Sequence, residues 1–222
     1  MTHIMLDLET WGNRPGMDLC SIGACVFDPE TGFVATRNSG GTFYVAVDNP
    51  IINTCDYCGD GKYTGLPGDA CENCMNTGFY HGEPEYKYNL QRDPGTVAWW
   101  NEPEQAEATK AFADPVDLMD GLVLFTKWFL SMGCTHIWGH GAHYDVPILG
   151  AVYHALGSKE PWHYRAPRDT RTIFDAAGIS DHPAHLAAHA TGTHHNALDD
   201  ALCQAAAVCD AWGRIHRWDD GK

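Results

Sequence analysis

Ile4-Met5-Leu6-Asp7-Leu8-Glu9-Thr10 stands near the start of the chain, an apolar run leading into two carboxylates one residue apart. On a β-strand, side chains at i and i+2 share a face. Asp7 and Glu9 are therefore expected to project together from the end of a hydrophobic strand. Like charges that close repel each other unless a cation lies between them, and hard carboxylate oxygens suit Mg²⁺ or Mn²⁺. The plain alternative is an edge strand with two solvated acids, so the flanking sequence has to separate the two.

Outward from this strand, residues 10–16 carry Gly and Pro and read as a loop. Residues 19–27 predict a second strand, 28–32 a turn, and 42–47 a third strand pairing back on the second. Pro94 and Pro103 suit the starts of short helices, and Asp114-Pro115 the start of a long one to residue 132, with Leu118, Leu122, Phe125 and Phe129 facing the core. Residues 135–139 predict a fourth strand, 146–156 a helix, 162–165 a fifth strand and 169–177 another helix. Residues 178–195 read as irregular, and 196–214 as a final helix. The pattern implies a mixed α/β sheet flanked by helices, and 222 residues suit one domain, 1–222, with an insertion.

The net charge is −15, from 14 basic and 29 acidic residues. That sign disfavours a non-specific nucleic-acid binder working by phosphate neutralisation, but not an enzyme whose bound metals supply positive charge locally. No apolar run reaches membrane-spanning length. The strand pattern begins at once, leaving no room for a signal peptide, so a cytoplasmic protein is expected.

Of nine cysteines, Cys20, Cys25, Cys134, Cys203 and Cys209 lie scattered in apolar stretches and read as buried thiols. Cys55-Asp56-Tyr57-Cys58 and Cys71-Glu72-Asn73-Cys74 are different. Two C-x-x-C pairs at this separation signal a tetrahedral Cys₄ site for one structural Zn²⁺. Disulfides or a redox dithiol are the alternatives. Glycine follows each pair, which resembles the knuckle of the DnaJ-type zinc domain. Residues 53–82 read as an insertion too short for its own core, so the metal would supply its folding energy.

Two more acids stand where a shared site needs them. Asp145 follows a strand-like stretch at a helix start, and His195-Asn196-Ala197-Leu198-Asp199-Asp200 places a histidine at a helix entrance with Asp200 about one turn along. Asp199 points elsewhere, as a solvent-facing residue or a local brace. Asp7-x-Glu9, Asp145 and His195-x-Ala-x-x-Asp200 together resemble the three motifs of the DEDDh (DnaQ-like) 3′–5′ exonuclease superfamily. Residues 7–16, 21–24, 95–100, 139–145 and 195–200 are similar to the phage and bacterial branch related to exonuclease VIII. The zinc segment is foreign to that branch.

The resemblance implies a ribonuclease H-like fold: a five-stranded sheet in order 3-2-1-4-5, strand 2 antiparallel, flanked by helices and here carrying a small zinc-binding insertion. It implies two Mg²⁺ or Mn²⁺ held by Asp7, Glu9, Asp145 and Asp200, with His195 as general base and a 5′-mononucleotide as product. Four carboxylates offset two dications about 3.5–4 Å apart, and a histidine pKa of about 6.5 suits proton transfer near neutrality. The expected partner is a single-stranded DNA or RNA 3′ end, very short oligonucleotides included. Further candidates are a protein docked at the knuckle and a homodimer.

For substrate contacts, Thr10 and Trp11 lie on the loop after the first motif, where Trp11 is either a base-stacking surface or a lid. Trp99 and Trp100 are adjacent, so at most one faces substrate, and Trp100 is the choice made from sequence. Arg14, Arg168 and Arg171 are candidate phosphate contacts because cations are scarce. His140 and His143 flank Asp145 as candidate braces. The rival readings are a non-catalytic scaffold on the same fold and a cysteine redox protein.

Overall fold

The computed structural model describes residues 2–55, 79–80 and 84–219, without the side chains of 217–219. It divides into two compact units, Met1–Asp48 with Gln91–Lys222, and Asn49–Leu90. In the smaller unit two asparagines lace the outgoing chain to the returning one. Asn49 donates to the Tyr88 carbonyl (3.1 Å) and accepts from its N–H (2.9 Å). Asn53 donates to the Tyr80 carbonyl (2.8 Å) and accepts from the Glu85 N–H (2.7 Å). The expected insertion, 53–82, falls within this unit. Cys58, Cys71 and Cys74 lie outside the described residues, and the zinc expectation with them.

The larger unit is a mixed sheet with helices against it. Its strands are β1 (His3–Thr10), β2 (Leu19–Asp28), β3 (Phe33–Val34), β4 (Thr42–Asp48), β5 (Val116–Asp117), β6 (His136–Gly139) and β7 (Pro167–Asp169). They run in order β5-β4-β2-β1-β6-β7, with β3 paired to β2. β1 is central, antiparallel to β2 and parallel to β6. Its apolar residues Ile4, Met5, Leu6 and Leu8 are buried, which explains the near-continuous hydrophobic run. The helices are α1 (Pro94–Trp100), α2 (Leu118–Met132), α3 (Asp145–Ala155), α4 (Thr170–Ala176), α5 (His182–Ala187) and α6 (Ala197–Asp219). Met5 packs with Cys25, Phe27 and the α6 residues Ala201, Ala205 and Val208. Period two then sets Asp7 and Glu9 on the Met5 face, the one α6 covers. None of the described helices is long and apolar enough to cross a membrane.

Several elements differ from the sequence reading. The fifth strand forms at 167–169, not 162–165. The Trp162 ring is instead taken up by Phe129 (6.1 Å) and Tyr153 (5.8 Å), and a turn closes from Ala166 N–H to the His163 carbonyl (2.8 Å). Pro167 can open β7 because the strand lies at the sheet edge, where no donor is required. The long helix starts at Leu118, not 115. Val116 and Asp117 pair with Val47 and Asp48, and Asp117 caps the helix through Met119 N–H (3.0 Å). Asp114, the expected cap, takes a left-handed φ of 53°. The stretch read as irregular holds α5, capped by Asp181 through Ala184 N–H (3.0 Å) with a proline in its first turn. That Asp-x-Pro signature was present in the sequence. α6 runs five residues beyond the expected end.

One glycine sets how closely α6 approaches the sheet. Gly23 on β2 lies opposite Asp7 in the β1–β2 register. A Cβ built on it would fall 2.2 Å from the Ala197 carbonyl carbon and 2.3 Å from the Leu198 nitrogen. Backbone lies directly against backbone here, which a side chain at Gly23 would forbid. Gly23→Ala is expected to destabilise the fold by about 1–3 kcal/mol through overpacking. Gly40→Ala, with nothing among the described residues within 4 Å of the new methyl, should leave the denaturation midpoint unchanged in the same titration.

Candidate active site

Asp7 and Glu9 come from the C-terminal half of β1 and Asp200 from the first turn of α6. One carboxylate oxygen from each lies within 4.8 Å of the others. Glu9 is buried and Asp7 half-buried. Asp145, the first residue of α3, is also buried. Its Oδ1 accepts from the Leu8 N–H (3.2 Å) and its Oδ2 from the His140 N–H (2.9 Å). The carboxylate is thus tied to β1 between Asp7 and Glu9. Asp7, Glu9 and Asp200 open on a cavity of about 840 Å³ that His195, Arg171 and Tyr144 also line. Asp145 lines an adjoining cavity with Asp7, Tyr144 and Arg171. The expected acids therefore converge.

Their crowding has an electrostatic signature. Burial first, then the charges of Asp145, Glu9 and Asp200, hold the Asp7 carboxyl well above its ordinary range. Burial, then Asp200 and Asp145, does the same to Glu9. Burial pushes Asp145 up to about 7 against the opposing pull of its two backbone N–H donors. Asp200 is raised by burial, with His194 and the His195 N–H acting the other way. Burial and mutual repulsion make such a cluster favour a proton, or another positive charge, at its centre. Three clustered carboxylate oxygens with a fourth acid beside them are donors of the kind that could hold a hard divalent cation.

Gln204 was missed from sequence. It sits one turn beyond Asp200, on the same helix face, and that spacing was the available signal. Its Nε2 donates to Asp7 Oδ1 (2.7 Å), while its buried Oε1 has no hydrogen-bond partner among the described residues. Tyr144 was also missed. Its hydroxyl lies 3.1 Å from Thr10 Oγ1, so it braces the strand end that carries Glu9.

His195 stands at the mouth of α6 with a left-handed φ of 60°. Its N–H donates to Asp200 Oδ2 (2.9 Å), and its ring meets the Trp99 ring edge-on at 5.0 Å. Burial, then the neighbouring His194, lowers its pKa, which favours neutral imidazole with a free lone pair near neutrality. Asp199 is a brace and does not face solvent. It is buried, pairs with Arg37 and accepts from the Thr193 N–H (3.0 Å). Gly192, at a φ of 88°, leaves room for that carboxylate where a Cβ would collide with it.

The other candidates divide. Arg171 lines both cavities and is the one lysine or arginine among the described residues that does. Arg168 lies elsewhere, bonding the Arg165 and Pro167 carbonyls (both 2.8 Å). Arg14 is exposed and approaches Gln91 at 3.5 Å. Trp100 is buried and donates from Nε1 to the Thr10 carbonyl (3.0 Å). It therefore packs, and Trp99 is the tryptophan of the pair with open surface. Trp11 carries the Arg92 guanidinium over its ring at 4.9 Å. The His140 side chain lies 2.7 Å from Thr170 Oγ1, and burial, then Arg171, lowers its pKa to about 4. His143 is exposed.

No curated protein matches the chain. A family model, the 3′–5′ exoribonuclease Rv2179c-like domain, matches residues 2–212. The match spans all five residues of the resemblance, Asp7, Glu9, Asp145, His195 and Asp200. The chain belongs to the Rv2179c-like 3′–5′ exoribonuclease family.

Proposed function

We propose that this protein is a two-metal 3′–5′ exoribonuclease of the DEDDh type on a ribonuclease H-like sheet. The observation that carries the reading is the convergence of Asp7, Glu9 and Asp200 within 4.8 Å, with Asp145 held beside them by the Leu8 and His140 N–H groups. The antiparallel β2 and parallel β6 on either side of β1 support the fold assignment.

Asp7, Glu9, Asp145 and Asp200 hold two Mg²⁺ or Mn²⁺ ions. When bound, such ions polarise the scissile phosphate, ease ionisation of the attacking water and offset charge on the leaving 3′-oxygen. Neutral His195 takes the proton of that water. The water oxygen bonds to phosphorus and the P–O3′ bond breaks; the 3′-oxygen takes a proton from solvent, which gives a 5′-mononucleotide and a strand with a new 3′-hydroxyl. Arg171, which lines both cavities, is the candidate phosphate contact, and the half-buried Trp99 ring beside His195 the candidate surface for a terminal base. Cys55, Cys58, Cys71 and Cys74 hold one structural Zn²⁺, supported by their spacing.

RNA is the first substrate, following the family. With Arg171 as the only described lysine or arginine in the two cavities and a net charge of −15, the site offers little to a long phosphate backbone. Short oligoribonucleotides are the preferred form. The test is a time course on 5′-labelled RNA and DNA strands of two lengths with Mg²⁺, Mn²⁺ or EDTA. Shortening from the 3′ end, lost in EDTA and faster on the short RNA, is expected. Equal rates on RNA and DNA would remove the sugar preference, and activity undiminished by EDTA would remove the metal mechanism.

Two further outcomes separate the roles. His195→Ala should lower kcat by ~10²–10⁴-fold while Mn²⁺ still raises the melting temperature. Glu9→Gln should abolish both activity and that rise. The pH dependence follows from the raised carboxyls. Without metal the folded chain keeps protons that the unfolded chain releases above about pH 4. The contribution of these groups to stability therefore falls as pH rises from about 4 through the Asp145 value of about 7. The Mn²⁺-induced rise in melting temperature should be larger at about pH 8 than at about pH 5.5, and Glu9→Gln should melt higher than wild type in EDTA at the upper pH. Scanning calorimetry reads all three.

A further inference from the structure

The cluster of His185, His189 and Asp210 lies outside the cavity just described. One ligand atom from each of the three lies within 4.8 Å of the others. His185 Nδ1 is 3.8 Å, and His189 Nε2 3.7 Å, from Asp210 Oδ2. Both separations exceed a charge-assisted hydrogen bond, about 2.7–2.9 Å for N⁺–H···O⁻. They lie a few tenths of an ångström beyond the tetrahedral edge of about 3.3–3.5 Å expected for zinc bonded to nitrogen and oxygen at about 2.0–2.2 Å.

The state of His185 points the same way. Its side chain is 4 % exposed, and its Nε2 lies 3.0 Å from the Ala207 carbonyl. A carbonyl only accepts, so Nε2 carries the proton. In neutral imidazole that leaves the Nδ1 lone pair facing Asp210 Oδ2, 3.8 Å away. A ligating histidine is commonly fixed this way, one nitrogen donating to a carbonyl while the other faces the metal. His189, 26 % exposed, leaves an entry path. Arg214 Nη2 also lies on Asp210 Oδ2, at 2.8 Å, and orients the carboxylate.

We propose that His185, His189 and Asp210 form a binding site for a zinc-class divalent transition ion, with water completing the coordination. Two imidazoles and one carboxylate are a borderline donor set that takes Zn²⁺ in preference to Mg²⁺. The ion would pin α5 and the turn that follows it to α6, just upstream of the loop that ends in His195. The site is independent of the proposed exonuclease reading.

The test measures zinc per chain after loading wild type, His189→Ala and Asp210→Asn with Zn²⁺ in excess Mg²⁺ and removing free metal by gel filtration. Wild type should hold one equivalent more than either variant, and all three should keep the same Mg²⁺-dependent exoribonuclease rate. Equal zinc in all three overturns the proposal and leaves a histidine–aspartate ion pair. Should a variant fail to fold, ¹⁵N spectra of the wild-type histidines decide. Zinc-dependent shifts of His185 Nδ1 and His189 Nε2 support the site, and unchanged signals at saturating zinc overturn it.

Discussion

Backbone meets backbone where Gly23 of β2 lies under Ala197 and Leu198, and the arrangement of the acids depends on that contact. Asp7 is the residue opposite Gly23 on β1. Because no side chain stands between strand and helix, the first turn of α6 comes level with the end of β1. Asp200 then reaches Asp7 and Glu9, and Gln204, a turn later, reaches Asp7 from the same face. A methyl group at Gly23 would lift the helix end that carries both. A missing side chain on one strand thereby fixes the separation of carboxylates on two other elements.

The acids are held against their own repulsion. Burial raises all four carboxyls, and the opposing groups are backbone N–H donors and Arg171 on Asp145, His194 and the His195 N–H on Asp200, and one amide on Asp7. The surroundings bear the strain of the arrangement. Tyr144 and Trp100 secure Thr10 from two sides, and Asp199, Arg37 and Thr193 secure the loop that presents His195. A site that works through charge it cannot stabilise alone needs a scaffold rigid enough to keep the charges together.

Much of this was legible in the sequence, for local reasons. Asp7 and Glu9 share a face because strands have period two, and His195 precedes Asp200 by the pitch of one helical turn. Both rules act within a few residues. The misreadings came from competition at longer range. Trp162 to Arg165 have strand-like composition, but Phe129 and Tyr153 claim the Trp162 ring and the ladder forms further on. Asp114-Pro115 resembled a helix start, yet β5 pairing with β4 shifted the cap to Asp117. Trp100 and Trp99 are equivalent on paper; the Thr10 carbonyl that claims Trp100 is ninety residues away. Arg168 and Arg171 differ by three positions, and only the site of α4 relative to the cavity distinguishes them. The α5 helix was a local signal passed over among the histidines and alanines around it.

Asp145 has a consequence of another kind. β1 pairs with β6 only through Met5, so the Leu8 N–H lies beyond the end of that ladder. The Asp145 carboxylate occupies the place where a strand carbonyl would be, and its other oxygen serves the His140 N–H at the exit of β6. Position 145 therefore acts as a splice in the sheet as well as an acid in the cavity. An asparagine there would turn an N–H₂ toward one of two backbone donors, and an alanine would leave both donors without their acceptor. The sheet itself asks for a carboxylate at this point, so the geometry of this acid is inherited from the architecture around it.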